Sequence, residues 1–319
     1  MRRIAVTMGD PAGIGAEIIL KALPDLCRKN IPVVIGDSSA LEAISPVLGP
    51  SHTWKFKRFG QAGAGEAEFV DMALVKKVAF GAVDKACGRA SYQYILEALK
   101  YAFSGAVSAI VTAPINKVSL RLGGAPFTGH TELLAHFGGV RDYVMMMANR
   151  RMRVSLVTIH IPLRDVPDAL SVEKVVRTIG ITHQSLRDYF AIPAPYLKVS
   201  GLNPHAGEQG IMGTEEKVIE EAVVLARSLG IRVDGPFPGD TLFHDPSCDA
   251  FVAMYHDQGL IPVKTVDFRH TVNITLGLPF VRTSPGHGTG FDIAGQGNAD
   301  PTGLIEAFRT AETMASHFE

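Results

Sequence analysis

The chain has 319 residues, with 31 Lys and Arg against 32 Asp and Glu, and 46% of its residues are hydrophobic. That length is too great for one small core and points to two domains or one large α/β domain. The apolar fraction excludes extended disorder, and a formal net charge of −1 leaves no basic footprint for non-specific nucleic-acid binding.

Taken in chain order, short apolar runs alternate with longer amphipathic ones. Ile4 to Val6 reads as a strand, Ala16 to Leu26 as a helix, Val33 to Ile35 as a buried strand, Tyr92 to Phe103 as a helix and Val107 to Val111 as a strand. Further strands are expected at Met152 to Ile159, Leu197 to Leu202 and Ala250 to Tyr255, with helices at Val172 to Phe190 and Glu215 to Leu229. Strands alternating with helices predict an α/β fold with a largely parallel core. No linker separates domains, so the chain is expected to cross between them on ordered elements. The expected division is 1–120 with 262–319 as a terminal domain, and 121–261 as a central one.

Cys27, Cys87 and Cys248 form no C-x-x-C pair, which suits a reducing compartment. No apolar h-region follows Arg2 and Arg3, and no uncharged run nears the roughly 20 residues that span a bilayer. A soluble, cytoplasmic protein without nucleic-acid or membrane partners is expected.

Three histidines share a position: His160, His205 and His256 each lie at or just beyond the C-terminal end of an apolar strand. In parallel α/β sheets those ends form the ligand crevice, and three imidazoles there suit a divalent metal with positions left open for substrate. Asp257 directly follows His256, and Asp240 follows Gly239 either as a turn residue or, like Asp257, as a carboxylate that serves a metal as ligand, orienting partner or base. Lys264 and Arg282 each end an apolar run, with Asn273 between them. A cation in apolar surroundings needs a partner, supplied by a ligand's phosphate or carboxylate or by an internal salt bridge, unless the side chain snorkels to water. Phe127 to Glu132 precedes an apolar helical run, so backbone amides beside His130 and Thr131 can cradle an anion. Gly9 to Gly15 does not fit G-x-G-x-x-G, so a Rossmann dinucleotide site is not indicated. The stretch Ser284 to Pro301 offers many free amides for a flat or phosphorylated ligand.

The run from Pro285 to Pro301 resembles the nucleotide loop of the isocitrate and isopropylmalate dehydrogenases, which bind NAD(P) without a Rossmann fold. Nearly the whole chain resembles the 4-hydroxythreonine-4-phosphate dehydrogenases of vitamin B6 biosynthesis, through Thr7 to Gly15, Phe127 to Glu132, His160 to Asp165, Gly201 to Glu208, Met254 to Gly259 and Val272 to Phe280. The resemblance implies two α/β/α domains with a cleft between them, and a homodimer whose active site is completed at the subunit interface. It implies one divalent ion, zinc, magnesium or cobalt, on His160, His205 and His256. His130, Thr131, Lys264, Asn273 and Arg282 take the substrate places, and Gly286, His287, Gly288, Asp292, Gly295 and Asn298 the NAD or NADP places. The implied reaction is oxidation of 4-phosphooxy-L-threonine at C3 with decarboxylation to 3-amino-2-oxopropyl phosphate. Lys264, Asp240 and Asp257 are candidates for the proton acceptor. The sister reading is a dehydrogenase of 4-phospho-D-erythronate or 4-phospho-D-threonate. Gly286 and Gly290 stand where the family commonly has Asp and Ala, departures expected to loosen the loop and to bear on the choice between NAD and NADP.

Overall fold

The computed structural model describes residues 1–245 and 247–318. Among them the elements run β1 (Arg3–Thr7), α1 (Gly15–Leu26), β2 (Ile31–Gly36), α2 (Ser38–Leu48), β3 (Glu68–Asp71), α3 (Lys85–Phe103), β4 (Ala109–Thr112), α4 (Lys117–Leu122) and α5 (His130–Phe137). They continue with β5 (Val144–Ala148), β6 (Arg153–Leu156), α6 (Val166–Ala169), α7 (Val172–Phe190), β7 (Tyr196–Ser200), α8 (Glu216–Ser228), β8 (Arg232–Phe237) and α9 (Gly239–Leu242). The last are β9 (Ala250–Ala253), α10 (His256–Val266), β10 (Val272–Leu276), β11 (Val281–Pro285) and α11 (Thr302–His317).

The described residues divide into two compact units, residues 1–141 with 278–315, and residues 142–245 and 247–277 with 316–318. Both crossings fall C-terminal to the expected 120/121 and 261/262. His130 and Thr131 therefore belong to the first unit, and Lys264 and Asn273 to the second.

In the first unit the strand order is β3-β2-β1-β4-β11, with every pairing parallel. Parallel strands covered on both faces need apolar side chains on both, and Ile4, Ala5, Val6, Val33, Val34, Ile35 and Ile110 are all fully buried. The β1–α1 turn is tight. Gly9 has φ +73°, and a Cβ there would stand 2.2 Å from the Pro114 carbonyl oxygen, so only glycine fits. Helix α3 starts earlier than its apolar period suggests, because Asp84 caps it by accepting from the Cys87 amide at 2.8 Å.

In the second unit the order is β10-β5-β6-β9-β7-β8, with β10–β5 and β5–β6 antiparallel and the rest parallel. Met145, Met147, Val154, Leu156, Phe251, Ala253, Leu260 and Val263 form one core cluster there. The adjacent parallel strands β6, β9 and β7 are those that the three histidines follow. Among the described residues no helix is long and apolar enough to cross a membrane.

Candidate active site

Beyond their formal ends β6 and β9 continue side by side. The Val157 amide donates to Ala253 O at 2.9 Å, and Thr158 donates to Met254 O through its amide at 3.1 Å and its hydroxyl at 2.7 Å. This pairing brings His160 and His256 together, with ring centroids 5.9 Å apart. His256 opens α10, and its Nδ1 lies 2.7 Å from Asp257 Oδ1. With that carboxylate as acceptor, Nδ1 carries the proton and Nε2 keeps its lone pair for a ligand. Both rings and Asp257 line a cavity of about 290 Å³.

His205 stands elsewhere in the same unit. It lines a larger cavity of about 730 Å³ with Asp240, Phe243, Tyr255, Asp257 and Gln258. Tyr255 and Asp257 line both cavities. His205 begins a run of five left-handed residues, His205 to Gln209, with φ between 45° and 76°. Each non-glycine there costs roughly 1–2 kcal/mol, so the segment persists only because its surroundings over-determine it. Buried Glu216 does this. Its carboxylate accepts from the Leu202 and Asn203 amides at 3.0 and 2.7 Å and from Asn203 Nδ2 at 2.9 Å, and it packs so closely on Gly207 that a Cβ there would stand 2.6 Å from Oε2. Gln258 ties the two strand ends, accepting from Met254 N and donating to Gly201 O, both at 2.7 Å.

His160 and His256 therefore fit two nitrogen donors of a divalent site, but a resident metal asks for a third. Among the described residues no group of three or more His, Cys, Asp or Glu stands where it could hold a metal ion. Among the described residues His205 lines a different cavity from His160 and His256, at the start of the left-handed segment.

The first unit holds the anion candidates. Arg282, on β11, is only 2% exposed, and its Nη2 donates to Thr112 Oγ1 on β4 at 2.7 Å. Burial lowers its pKa to about 10, with Glu132 opposing, so the guanidinium remains charged at neutral pH. His130 opens α5, and buried Thr131 follows it. Burial, then the Arg282 charge, holds the His130 imidazole well below its usual range, so it is neutral. Its Nε2 is buried with no hydrogen-bond partner among the described residues. Such an atom is costly unless a ligand meets it.

In the second unit the Asn273 Oδ1 on β10 is likewise buried and unpartnered among the described residues. Lys264 differs from its expected setting. It lies near the end of α10, half-buried, with Nζ 5.5 Å from the Phe268 ring centroid. The apolar run before it is helical, with Leu260 and Val263 buried and Ile261 63% exposed, so no charge is sealed in a core there.

Gly286, His287, Gly288, Asp292, Gly295 and Asn298 lie on the segment between β11 and α11. His287 packs on Gly303, where a Cβ would meet its ring at 2.9 Å, while a Cβ on Gly288 would meet nothing within 4 Å. Asp292 and Asn298 are exposed. Gly290 has φ +59°, and Gly295 has φ +79° with its α-carbon against Phe80. At Gly290 and Gly295 these φ values lie in the left-handed region that glycine enters without steric cost, so the backbone turns tightly there.

Sequence reasoning missed Glu17, Lys21, Glu216 and Gln258. Glu216 and Gln258, in the opening turns of their helices, had a weak signal in that position. Glu17 and Lys21 had only their i,i+4 spacing.

Residues 28–311 match the family model described as the pyridoxal phosphate biosynthetic protein PdxA. The chain is 43% identical to the 4-hydroxythreonine-4-phosphate dehydrogenase of Desulforapulum autotrophicum, over 98% of this chain and 95% of that one. It is 45% identical to the enzyme of the same name from Chromobacterium violaceum, over 98% and 97%. A crystal structure of the 4-hydroxythreonine-4-phosphate dehydrogenase from Klebsiella pneumoniae superimposes with a TM-score of 0.90 at 39% identity, covering 98% of each chain.

Proposed function

Because this chain belongs to the PdxA family of pyridoxal phosphate biosynthetic proteins, we propose that it oxidises the C3 alcohol of 4-phosphooxy-L-threonine with a nicotinamide nucleotide. The products are a β-keto acid, reduced cofactor and a proton. Loss of CO2 from the keto acid then gives 3-amino-2-oxopropyl phosphate. The observation that carries this reading is the end-to-end likeness to dehydrogenases of that name, over 98% of the chain.

Arg282 grips an anionic group of the substrate in bidentate fashion. His130, held neutral, donates a hydrogen bond to the same class of group from the N-terminus of α5, with Thr131 beside it. Asn273 and Lys264 supply further polar contacts. Anchoring by groups remote from C3 turns binding energy into orientation of the reacting alcohol. Asp257 is engaged with His256 and orients that ring, which leaves Asp240 and Lys264 as candidates to accept the alcohol proton. When bound, the nicotinamide nucleotide supplies the hydride acceptor and a divalent cation supplies Lewis-acid polarisation.

The unmet third metal donor supports assembly as a homodimer that brings imidazoles of two chains together. Leu163, which lines the cavity of His160 and His256, is 66% exposed, and Ile261, which lines that of His205, is 63% exposed. Exposed apolar groups clustered near a site mark an interaction surface.

Turnover of 4-phosphooxy-L-threonine, 4-phospho-D-erythronate and 4-phospho-D-threonate by one enzyme preparation, read as reduced nicotinamide, tests the proposal. The first acid is expected to give the highest kcat/KM. Preference for either of the others would replace this reading with the sister activity.

A further inference from the structure

The segment between β11 and α11 is fastened along its length. Near its start Thr289 donates through its hydroxyl to Ile115 O at 2.8 Å and accepts from the Ile14 amide at 3.1 Å. Midway, Gly295 lies against Phe80, where a Cβ would stand 2.7 Å from the ring.

The third fastening is a charged pair on α1. Lys21 Nζ donates to Glu17 Oε1 at 2.8 Å, to Gly297 O at 2.7 Å and to Ala299 O at 2.8 Å. The same Glu17 oxygen accepts from the Ala299 amide at 2.7 Å. The ammonium thus has a partner for each of its three protons. The two side chains are only 15% and 1% exposed, so the pair has been taken out of water at a desolvation cost. The backbone groups it grips flank Asn298 on both sides, while Asn298 itself is exposed.

We propose that Glu17 and Lys21 are positioning residues that fix Asn298 and the end of the glycine-rich segment for a dinucleotide. This rests on that segment being the nicotinamide nucleotide site. A loop pre-ordered by a buried clamp loses less conformational entropy on binding, so the pair acts on cofactor affinity and leaves substrate affinity alone.

The test compares the intact chain with Lys21→Met and Lys21→Arg. In Lys21→Met the Kd for NADH or NADPH, measured by titration without substrate, is expected to rise about ten-fold or more. The KM for the oxidised cofactor should rise alike, while kcat at saturating cofactor and the KM for the phosphorylated acid change less than about two-fold. Hydrogen exchange at residues 297–300 should quicken. Lys21→Arg, which keeps charge and several donors, should recover most of the affinity, and it keeps the test open if Lys21→Met does not fold. Unchanged exchange would show that the pair orders nothing. Faster exchange with unchanged Kd would show that the order is irrelevant to the cofactor. Either overturns the proposal. Failure of the unaltered chain to bind NADH or NADPH overturns instead the reading of the segment as a nucleotide site, and that titration is done first.

Discussion

The rings of His160 and His256 stand 5.9 Å apart because the segments that carry them remain hydrogen-bonded beyond the ends of β6 and β9. Asp257 holds one of the two through Nδ1. Two imidazoles with one ring already oriented can offer two nitrogen donors to a divalent ion.

Replacing His160 or His256 with Ala should therefore weaken divalent-cation binding by more than the roughly 10–100-fold that loss of an outer-shell partner costs. Equilibrium dialysis with zinc or cobalt measures this without turnover. Asp257→Asn should fall within that smaller range. Unchanged affinity in both alanine variants would remove the metal role from this pair.

Arg282→Met removes the buried guanidinium proposed to grip an anionic group of the substrate. The KM for the phosphorylated acid should rise about 30-fold or more, since losing one member of a buried charged contact costs roughly 2–5 kcal/mol. The Kd for dinucleotide should stay nearly constant. Arg282→Lys should rescue little, because an ammonium lacks the planar fork. Equal losses of acid and dinucleotide affinity would place Arg282 outside the substrate site.

Asp10 is fully buried in the β1–α1 turn, and burial raises its carboxyl to about 6 against the hydrogen bond from the Ala12 amide. A carboxyl whose folded pKa lies above its ordinary 3.8 takes up protons more readily in the folded state, so its contribution to stability falls as pH rises from near 4 to near 6 and is flat above. Asp10→Asn keeps an acceptor for Ala12 and removes the charge. It should stabilise the protein at pH 8 by up to about 3 kcal/mol, and by little near pH 4. Denaturant unfolding at the two pH values measures the difference; a pH-independent effect would contradict it.

Glu216→Ala strips the acceptor from the half-buried Leu202 and Asn203 amides and leaves the Asn203 side chain with Glu215 alone. A loss of about 2–4 kcal/mol is expected in denaturant unfolding, with faster hydrogen exchange concentrated at residues 203–210. Loss of stability with unchanged exchange there would mean that Glu216 does not hold the left-handed segment.

The positions of the histidines were legible because a parallel strand writes a run of apolar residues that stops at its polar C-terminal end. Leu156, Val199 and Ala253 show this on the three strands concerned. Whether the rings meet was not legible, since it depends on the path of the loop that carries His205, and that path is set by Glu216. Helix α10 was hidden because Gly259 and Pro262 break its pattern, which made Lys264 look like a sealed cation. The clamp at Lys21 left almost no trace, because what it grips are backbone carbonyls far along the chain, and carbonyls carry no residue signature.

The most direct measurement is the stoichiometry of a single reaction, with reduced nicotinamide and released CO2 counted against 4-phosphooxy-L-threonine consumed. One of each per molecule of acid is the expected result. Consumption of the acid with no nicotinamide reduced, or no consumption at saturating NAD+ and NADP+ with zinc, magnesium or cobalt supplied, would contradict the account.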